Sequence, residues 1–169
     1  STQADGLWYS AQYPESSFNA DWAALARRYA ANNAVIGADI RNEPHAKVSW
    51  GDGNVLTDWH AAAQRAGNGV LAANPHLLII VEGIQFYKKA PSYWWGGSLM
   101  GVQDAPVELH FADGSPARSQ LVYSVHDYGP DLCGKGCPWF NKKATYASLS
   151  QLWEQYWGYV VNDPQQAYA

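Results

Sequence analysis

The stretch that decides the fold reads Val35-Ile36-Gly37-Ala38-Asp39-Ile40-Arg41-Asn42-Glu43-Pro44-His45. It opens with apolar residues and carries no charge before Asp39, which is typical of a short strand buried inside a sheet. Pro44 has no N–H to donate to a neighbouring strand, so it ends the strand at once. The sequence therefore predicts that Asn42 and Glu43 lie at the carboxyl end of an interior strand.

The carboxyl end of a strand is a functional position in parallel α/β sheets and barrels, because ligands bind along that edge. A carboxylate such as that of Glu43 is suited there to acid–base chemistry. The alternative is that Glu43 is a buried carboxylate held by Arg41 or by backbone amides, since structural ion pairs also perturb carboxyl groups. This stretch alone leaves both interpretations open.

Two later apolar runs, 77–83 and 121–125, follow the same pattern as the first, an apolar strand with polar residues at its carboxyl end. One ends in Glu82 and the other leads into His126 and Tyr128, two residues whose side chains point the same way in an extended chain. His126 taken alone is equally well read as a structural histidine. Amphipathic patterns predict helices capped by Asn19 and Thr57 and a last helix over 149–160. Strands alternating with helices predict parallel βα units.

Length and charge bound the class of protein. The 169 residues suffice for one domain but fall short of a typical (β/α)8 barrel of ~250 residues. The net charge is −4 and no run of Lys and Arg occurs, so we expect neither nucleic acid nor a membrane as a partner. No apolar stretch approaches the ~18 residues of a membrane span, and we expect any export signal to lie outside this sequence.

Aromatic residues are unusually abundant, with nine Trp and eleven Tyr against 15% charged residues. Aromatic faces in polar loops suit sugar rings, which stack on them. Trp94 and Trp95 are adjacent in a long connection, 84–120, where no helix is evident, and alternation over 107–111 predicts a short hairpin there. We expect one tryptophan to face a ligand and the other to anchor the loop. A tryptophan-rich core is the alternative, preferred for Trp22 and Tyr29, which have helical spacing.

The two cysteines, Cys133 and Cys137, are separated by three residues, two of them glycine. A small disulfide loop is sterically possible, whereas a zinc site would need further ligands that are not nearby. We favour a disulfide, which persists in oxidising compartments, over free thiols.

Four motifs together resemble the bacterial endo-β-1,4-glucanases of glycoside hydrolase family 5. They are Asn-Glu-Pro-His at 42–45, Val-Glu-Gly at 81–83, Tyr-Trp-Trp-Gly-Gly at 93–97 and Ser-Val-His-Asp-Tyr at 124–128. Their order is similar to that of the fourth, fifth and sixth strands of the family's (β/α)8 TIM barrel. The resemblance implies an α/β fold in which residues 1–169 form the middle part of a single glycoside hydrolase catalytic domain, an incomplete barrel.

The resemblance also implies a secreted, retaining β-glycosidase that cleaves cellulose or a related β-glucan without a metal or cofactor. Glu43 would be the acid/base, and Asn42 would bind the sugar 2-hydroxyl. His126 and Tyr128 would line the catalytic subsite, and Trp94 or Trp95 would stack on a sugar. The family pattern gives Glu82 no catalytic role.

One departure from the family concerns the nucleophile, which ends the family's seventh strand. Glu82, Glu108 and Glu154 do not match that position, so we expect the nucleophile and the first three strands to lie outside this sequence. The rest of the barrel then becomes a required partner, and the 169 residues alone should be inactive. The alternatives are an inert carbohydrate-binding or assembly fragment, or a β-mannanase or xylanase.

Overall fold

The protein is described here by a computed structural model covering residues 4–133 and 137–163. Its sheet has three parallel strands in the order β1-β2-β3, namely Gly37–Asp39, Leu78–Glu82 and Leu121–Ser124. The two long helices are α1, Glu15–Arg28, and α2, Trp59–Ala73. A short helix α3, Pro130–Cys133, follows β3. The last helical segment comprises α4, Tyr146–Trp153, a π-helical turn over Glu154–Gly158, and α5, Tyr159–Asn162.

The predicted parallel βα units are confirmed by the strand register. Gly37 pairs with Leu78 and Ile79 pairs with Leu121, both in parallel ladders. A long crossover leads from β1 to β2 and another from β2 to β3, as parallel pairing requires. The carboxyl ends of all three strands therefore meet at one edge of the sheet.

Both predicted helix starts are wrong, since each helix has a different N-cap residue. The first helix begins at Glu15 rather than after Asn19, with Pro14 at φ −68° leading into it. The second helix is capped by Asp58, whose carboxylate accepts the Ala61 N–H, and not by Thr57. Thr57 instead accepts a hydrogen bond from the Ser49 hydroxyl at 2.9 Å.

The core lies between the sheet and the two long helices. Ile40, Ile79 and Val81 are buried on the helix-facing side of the sheet, where they meet the alanine-rich face of α2. The core prediction for Trp22 agrees with its packing against this cluster and with the hydrogen bond from its Nε1 to the Ile40 carbonyl. The same prediction is wrong for Tyr29, which is 41% exposed. Tyr29 lines an open apolar groove along β1 instead.

The opposite face of the sheet carries the side chains that would point into a closed barrel. Asp39 pairs with Ile80, and Ile80 pairs with Val122, so the three form one row across the strands. Asp39 and Val122 are exposed. In a complete barrel this row would be covered by side chains from other strands.

The connection from 84 to 120 folds without a long helix, close to expectation. It contains two short 3-10 turns, Met100–Gln103 and Arg118–Gln120. The predicted hairpin is wrong in extent, since it is reduced to one antiparallel bridge between His110 and Pro116. Hydrogen bonds to side chains, such as the one that the Val107 N–H donates to Tyr123 Oη, hold this backbone in place of a β-ladder. None of the described helices has the length and apolarity to span a bilayer.

Candidate active site

The ends of the three strands bring together the residues predicted from the motifs. Glu43 follows β1, Glu82 ends β2, and His126 and Tyr128 follow β3. His126 Nδ1 lies 2.9 Å from Glu43 Oε1, and the Tyr128 hydroxyl donates a hydrogen bond to the same oxygen. Parallel pairing places these ends side by side, so residues more than 80 positions apart in sequence form one cluster.

The backbone at Glu43 adopts a left-handed conformation, with φ +52°. Such a conformation is uncommon for residues other than glycine and is enriched at functional sites. The Glu43 N–H donates to Glu82 Oε2 at 2.8 Å, and the Glu43 carbonyl lies 2.6 Å from His45 Nδ1. Contacts at both the N–H and the carbonyl of Glu43 thus hold this conformation.

The alternative of a structurally neutralised Glu43 fits the contacts poorly. Arg41 donates to the carbonyl oxygens of Leu7, at 3.2 Å, and of Asn42. The Glu43 side chain is 20% exposed and lines a cleft. Its carboxylate is therefore held by His126 and Tyr128 at a surface that a ligand can reach.

The pKa values in the cluster are shifted in opposite directions. Burial alone would raise the pKa of Glu43, but hydrogen bonds from Tyr128 and His126 lower it below its ordinary value. Burial raises the pKa of Glu82 to about 7, against the hydrogen bond from the Glu43 amide. Burial would lower the pKa of His126, but the bond to Glu43 and the nearby carboxylates raise it. Glu43 is thus a carboxylate at neutral pH, whereas the protonated forms of Glu82 and His126 are favoured, the first by burial and the second by the neighbouring carboxylates.

The cleft has a volume of about 410 Å³. This lies within the ~300–1,000 Å³ of small-ligand pockets. It is lined by Glu43, Gln85, Ser92, Tyr93, Trp94, Trp95, Tyr128, Leu132, Cys137 and Trp139. Half of these ten residues are aromatic and the acidic group among them is Glu43, a composition suited to an uncharged ligand with flat apolar faces.

The two adjacent tryptophans occupy different environments. Trp95 stacks on His45 with ring centroids 3.7 Å apart and planes inclined by 5°, and Trp95 is 40% exposed. Trp94 packs edge-on against Tyr128 and Trp139 and is partly buried. Both tryptophans line the cleft, Trp95 with the more exposed ring and Trp94 with a ring held between its aromatic neighbours. The expectation that only one of them faces a ligand stays a prediction.

Other predicted residues lie at the rim or outside the described part. Asn42 is exposed beside Glu43 and is not among the residues lining the cleft. Cys137 is disulfide-bonded, whereas the side chain of Cys133 lies outside the described residues. In the part of the chain that is described, no group of three or more His, Cys, Asp or Glu residues is arranged to hold a metal ion.

Sequence reasoning missed three contributors to the site. Trp139 contacts Tyr93 and Trp94, and an aromatic residue directly after the Cys137-Pro138 turn was a signal that could have found it. Glu82 had no assigned role, although it binds the Glu43 amide. The third is Gly96, at φ +69°, where a Cβ atom would lie 2.3 Å from Glu82 Oε2.

Comparison with known proteins decides the family. The sequence model of Cellulase (glycosyl hydrolase family 5) matches residues 3–167. The chain belongs to this family. The family 5 chain is 49% identical over 156 residues to an endoglucanase of Paenibacillus polymyxa, a match that covers 91% of this chain and 37% of that protein.

Solved structures agree with this family 5 assignment. An endocellulase from Pyrococcus horikoshii in complex with cellotetraose is 37% identical with a TM-score of 0.84, covering 96% of this chain and 46% of that one. The catalytic domain of the major endoglucanase from Xanthomonas campestris pv. campestris is 33% identical with a TM-score of 0.82, covering 94% and 44%. The chain thus spans about two fifths of these relatives. The predicted fold, a part of a TIM barrel, is confirmed.

Proposed function

We propose that the protein containing this chain is a retaining endo-β-1,4-glucanase that hydrolyses internal bonds of cellulose or a related β-glucan. The observation that carries the proposal is the Glu43 carboxylate, held by His126 and Tyr128 at the edge of an aromatic cleft. The relatives named as endoglucanases, and the cellotetraose bound to one of them, support this substrate class.

Retention requires a second carboxylate ~5–5.5 Å from the acid/base. Glu82 cannot serve, because its side chain is fully buried and its Oε2 is bound to the Glu43 amide. The nucleophile therefore comes from outside the described residues, on the remaining strands of the barrel. These strands would pair along β1 and β3, which have no second neighbour within the described part of the chain.

The electrostatics of Glu43 support the need for that second carboxylate. The lowered pKa of Glu43 makes it a base at neutral pH, whereas the first step needs an acid. A second negative charge nearby favours the protonated form and raises the pKa. The incoming nucleophile would thus convert Glu43 into the proton donor.

The reaction then proceeds in two balanced steps. The nucleophile attacks the anomeric carbon, the glycosidic C–O bond breaks, and Glu43 gives its proton to the leaving oxygen. Glu43 next takes a proton from water, whose oxygen attacks the same carbon and releases the nucleophile. His126 and Tyr128 both hold Oε1, which leaves Oε2 to carry the transferred proton.

The proposal also covers how the sugar is bound and where the protein acts. Trp95 would stack on a glucose ring, and Asn42 would bind the 2-hydroxyl of the sugar that is attacked. The disulfide at Cys137 supports an exported protein, because disulfides persist in oxidising compartments.

The test uses the full-length protein and measures reducing sugar from carboxymethylcellulose, galactomannan and xylan. We expect carboxymethylcellulose to be cleaved fastest and Glu43→Gln to lose ~10²-fold or more in rate, since acid–base catalysis contributes that much. Glu108→Gln, an exposed carboxylate in a loop, is the matched control and should keep full activity.

Three results would overturn the proposal. Preference for galactomannan or xylan would make the protein a mannanase or xylanase. Retardation in polysaccharide gels without hydrolysis would make it a binding protein. Normal turnover by Glu43→Gln would remove Glu43 from the acid/base role.

A further inference from the structure

Glu82 is the most deeply buried carboxyl group of the cluster. Its side chain has no exposed surface, and burying an ionisable group is costly unless the surroundings compensate. Oε2 accepts the Glu43 N–H at 2.8 Å. Oε1 lies 3.2 Å from His126 Nε2, and the Glu82 carbonyl accepts Trp59 Nε1 at 2.9 Å. Glu82 therefore contacts Glu43 after β1, His126 after β3 and the buried Trp59.

The loop that carries the tryptophans closes over this carboxylate. Gly96 donates its N–H to the Pro44 carbonyl at 3.1 Å, and its Cα lies where any side chain would strike Glu82 Oε2. Glu82 is thus sealed from the cleft and cannot touch a sugar. Any effect it has on catalysis must pass through Glu43 or His126.

The His126 ring bridges two carboxylates. Nδ1 lies 2.9 Å from Glu43 Oε1 and Nε2 lies 3.2 Å from Glu82 Oε1. The contact at Nε2 is an ion-pair distance and not a hydrogen bond, since Glu82 Oε1 has no hydrogen-bond partner among the described residues. A charged ring would attract both carboxylates, whereas a neutral ring would not. Asp39 adds a third carboxylate near the ring, and Arg41 is the other cation that interacts with Glu82. A positive charge on His126 is therefore favoured by Glu43 and Asp39, and by Glu82 at pH values above its raised pKa of about 7.

We propose that Glu82 is a positioning residue, which fixes the left-handed backbone of Glu43 and keeps His126 as an imidazolium bridging the two glutamates. The inference rests on the proposed function, since it concerns the presentation of the same acid/base. The raised pKa of His126, to which the charge of Glu82 contributes, supports it.

The kinetic test compares Glu82→Gln with Asp58→Asn in the full-length protein. Asp58 is also a buried carboxylate, but it caps α2 and is not among the residues lining the cleft. We expect Glu82→Gln to lower kcat at least about tenfold, part of the ~10²–10⁴-fold of acid–base catalysis, with KM nearly unchanged. Asp58→Asn should lose stability but keep kcat. Equal kcat in both variants, or a change in KM alone, would overturn the proposal.

A second measurement does not depend on glucan turnover. Nitrogen NMR of ¹⁵N-histidine-labelled full-length protein reports the protonation of each ring, and His126→Gln identifies the His126 signals. We expect both His126 nitrogens to be protonated at pH 6.5 in the wild type, and a lower His126 pKa in Glu82→Gln. A neutral wild-type ring at that pH overturns the proposal even if Glu82→Gln does not fold. If NMR agrees but no polysaccharide is cleaved, the proposed function fails and the positioning role stands.

Discussion

His126 Nδ1 lies 2.9 Å from Glu43 Oε1, although the two residues are 83 positions apart and follow strands that are not neighbours. Strand β2 lies between them and ends in Glu82. The contact therefore depends on two strand pairings at once, and a shift in either register would break it.

The two tryptophans should respond differently to truncation. Trp95→Ala should weaken cello-oligosaccharide affinity by ~1 kcal/mol, because the exposed ring is the surface that we propose stacks on glucose, with little change in melting temperature. Trp94→Ala should mainly lower the melting temperature, because its ring packs against Tyr128 and Trp139. Calorimetric titration and thermal unfolding of both variants check this. Equal losses of stability with unchanged affinity would contradict it.

Tyr128→Phe should move the pH–rate profile. The Tyr128 hydroxyl helps to lower the pKa of Glu43, so its removal should raise that pKa. In the full-length enzyme the alkaline limb of kcat, where the acid is lost, should shift to higher pH. Tyr87→Phe removes a hydroxyl bound to Asp104 and serves as the control. An unchanged limb in Tyr128→Phe would show that Tyr128 does not tune Glu43.

The stability of the protein should fall as pH rises from about 4.5 to 7. The pKa of Glu82 is about 7 when folded against an ordinary 4.5, so the folded state binds its proton more tightly. That contribution is complete below pH 4.5 and is lost by about pH 7, a change on the order of 3 kcal/mol. The raised pKa of His126 extends the loss above its ordinary 6.5.

Glu82→Gln cannot ionise and should flatten this dependence. Denaturant unfolding at pH 5, 6, 7 and 8 measures it, with the exposed Glu108→Gln expected to keep the wild-type slope. Parallel slopes for wild type and Glu82→Gln would refute the prediction.

A recombinant chain of these 169 residues should not hydrolyse cellulose. Loss of one member of a catalytic unit costs orders of magnitude in rate, and the described residues supply no accessible carboxylate opposite Glu43. Addition of a chain with the remaining strands should restore activity if the two pair along β1 and β3. Reducing-sugar assays with and without that complement test this. Activity of the 169 residues alone, lost in Glu43→Gln, would place the nucleophile within them.

The sequence by itself determined the strands and what stands at their ends. Buried apolar runs and the stop at Pro44 are local signals, so β1 and the tip position of Glu43 could be predicted from a few neighbouring residues. The motifs at 42–45 and 124–128 likewise indicated the family, which the comparisons confirmed. The sequence was less informative about where helices begin. Thr57 and Asp58 are adjacent and both are residue types that cap helices, and the structure uses Asp58.

Only the tertiary structure decided how those ends cooperate. The bond of Glu82 to the Glu43 amide and the different environments of Trp94 and Trp95 depend on partners 39 to 50 residues away in sequence. Desolvation and hydrogen-bond geometry arise when those partners meet, and no local pattern records them. A glutamate at the end of a strand can therefore be recognised from the sequence, but whether it lines the cleft, as Glu43 does, or is buried against a neighbour, as Glu82 is, is set by packing.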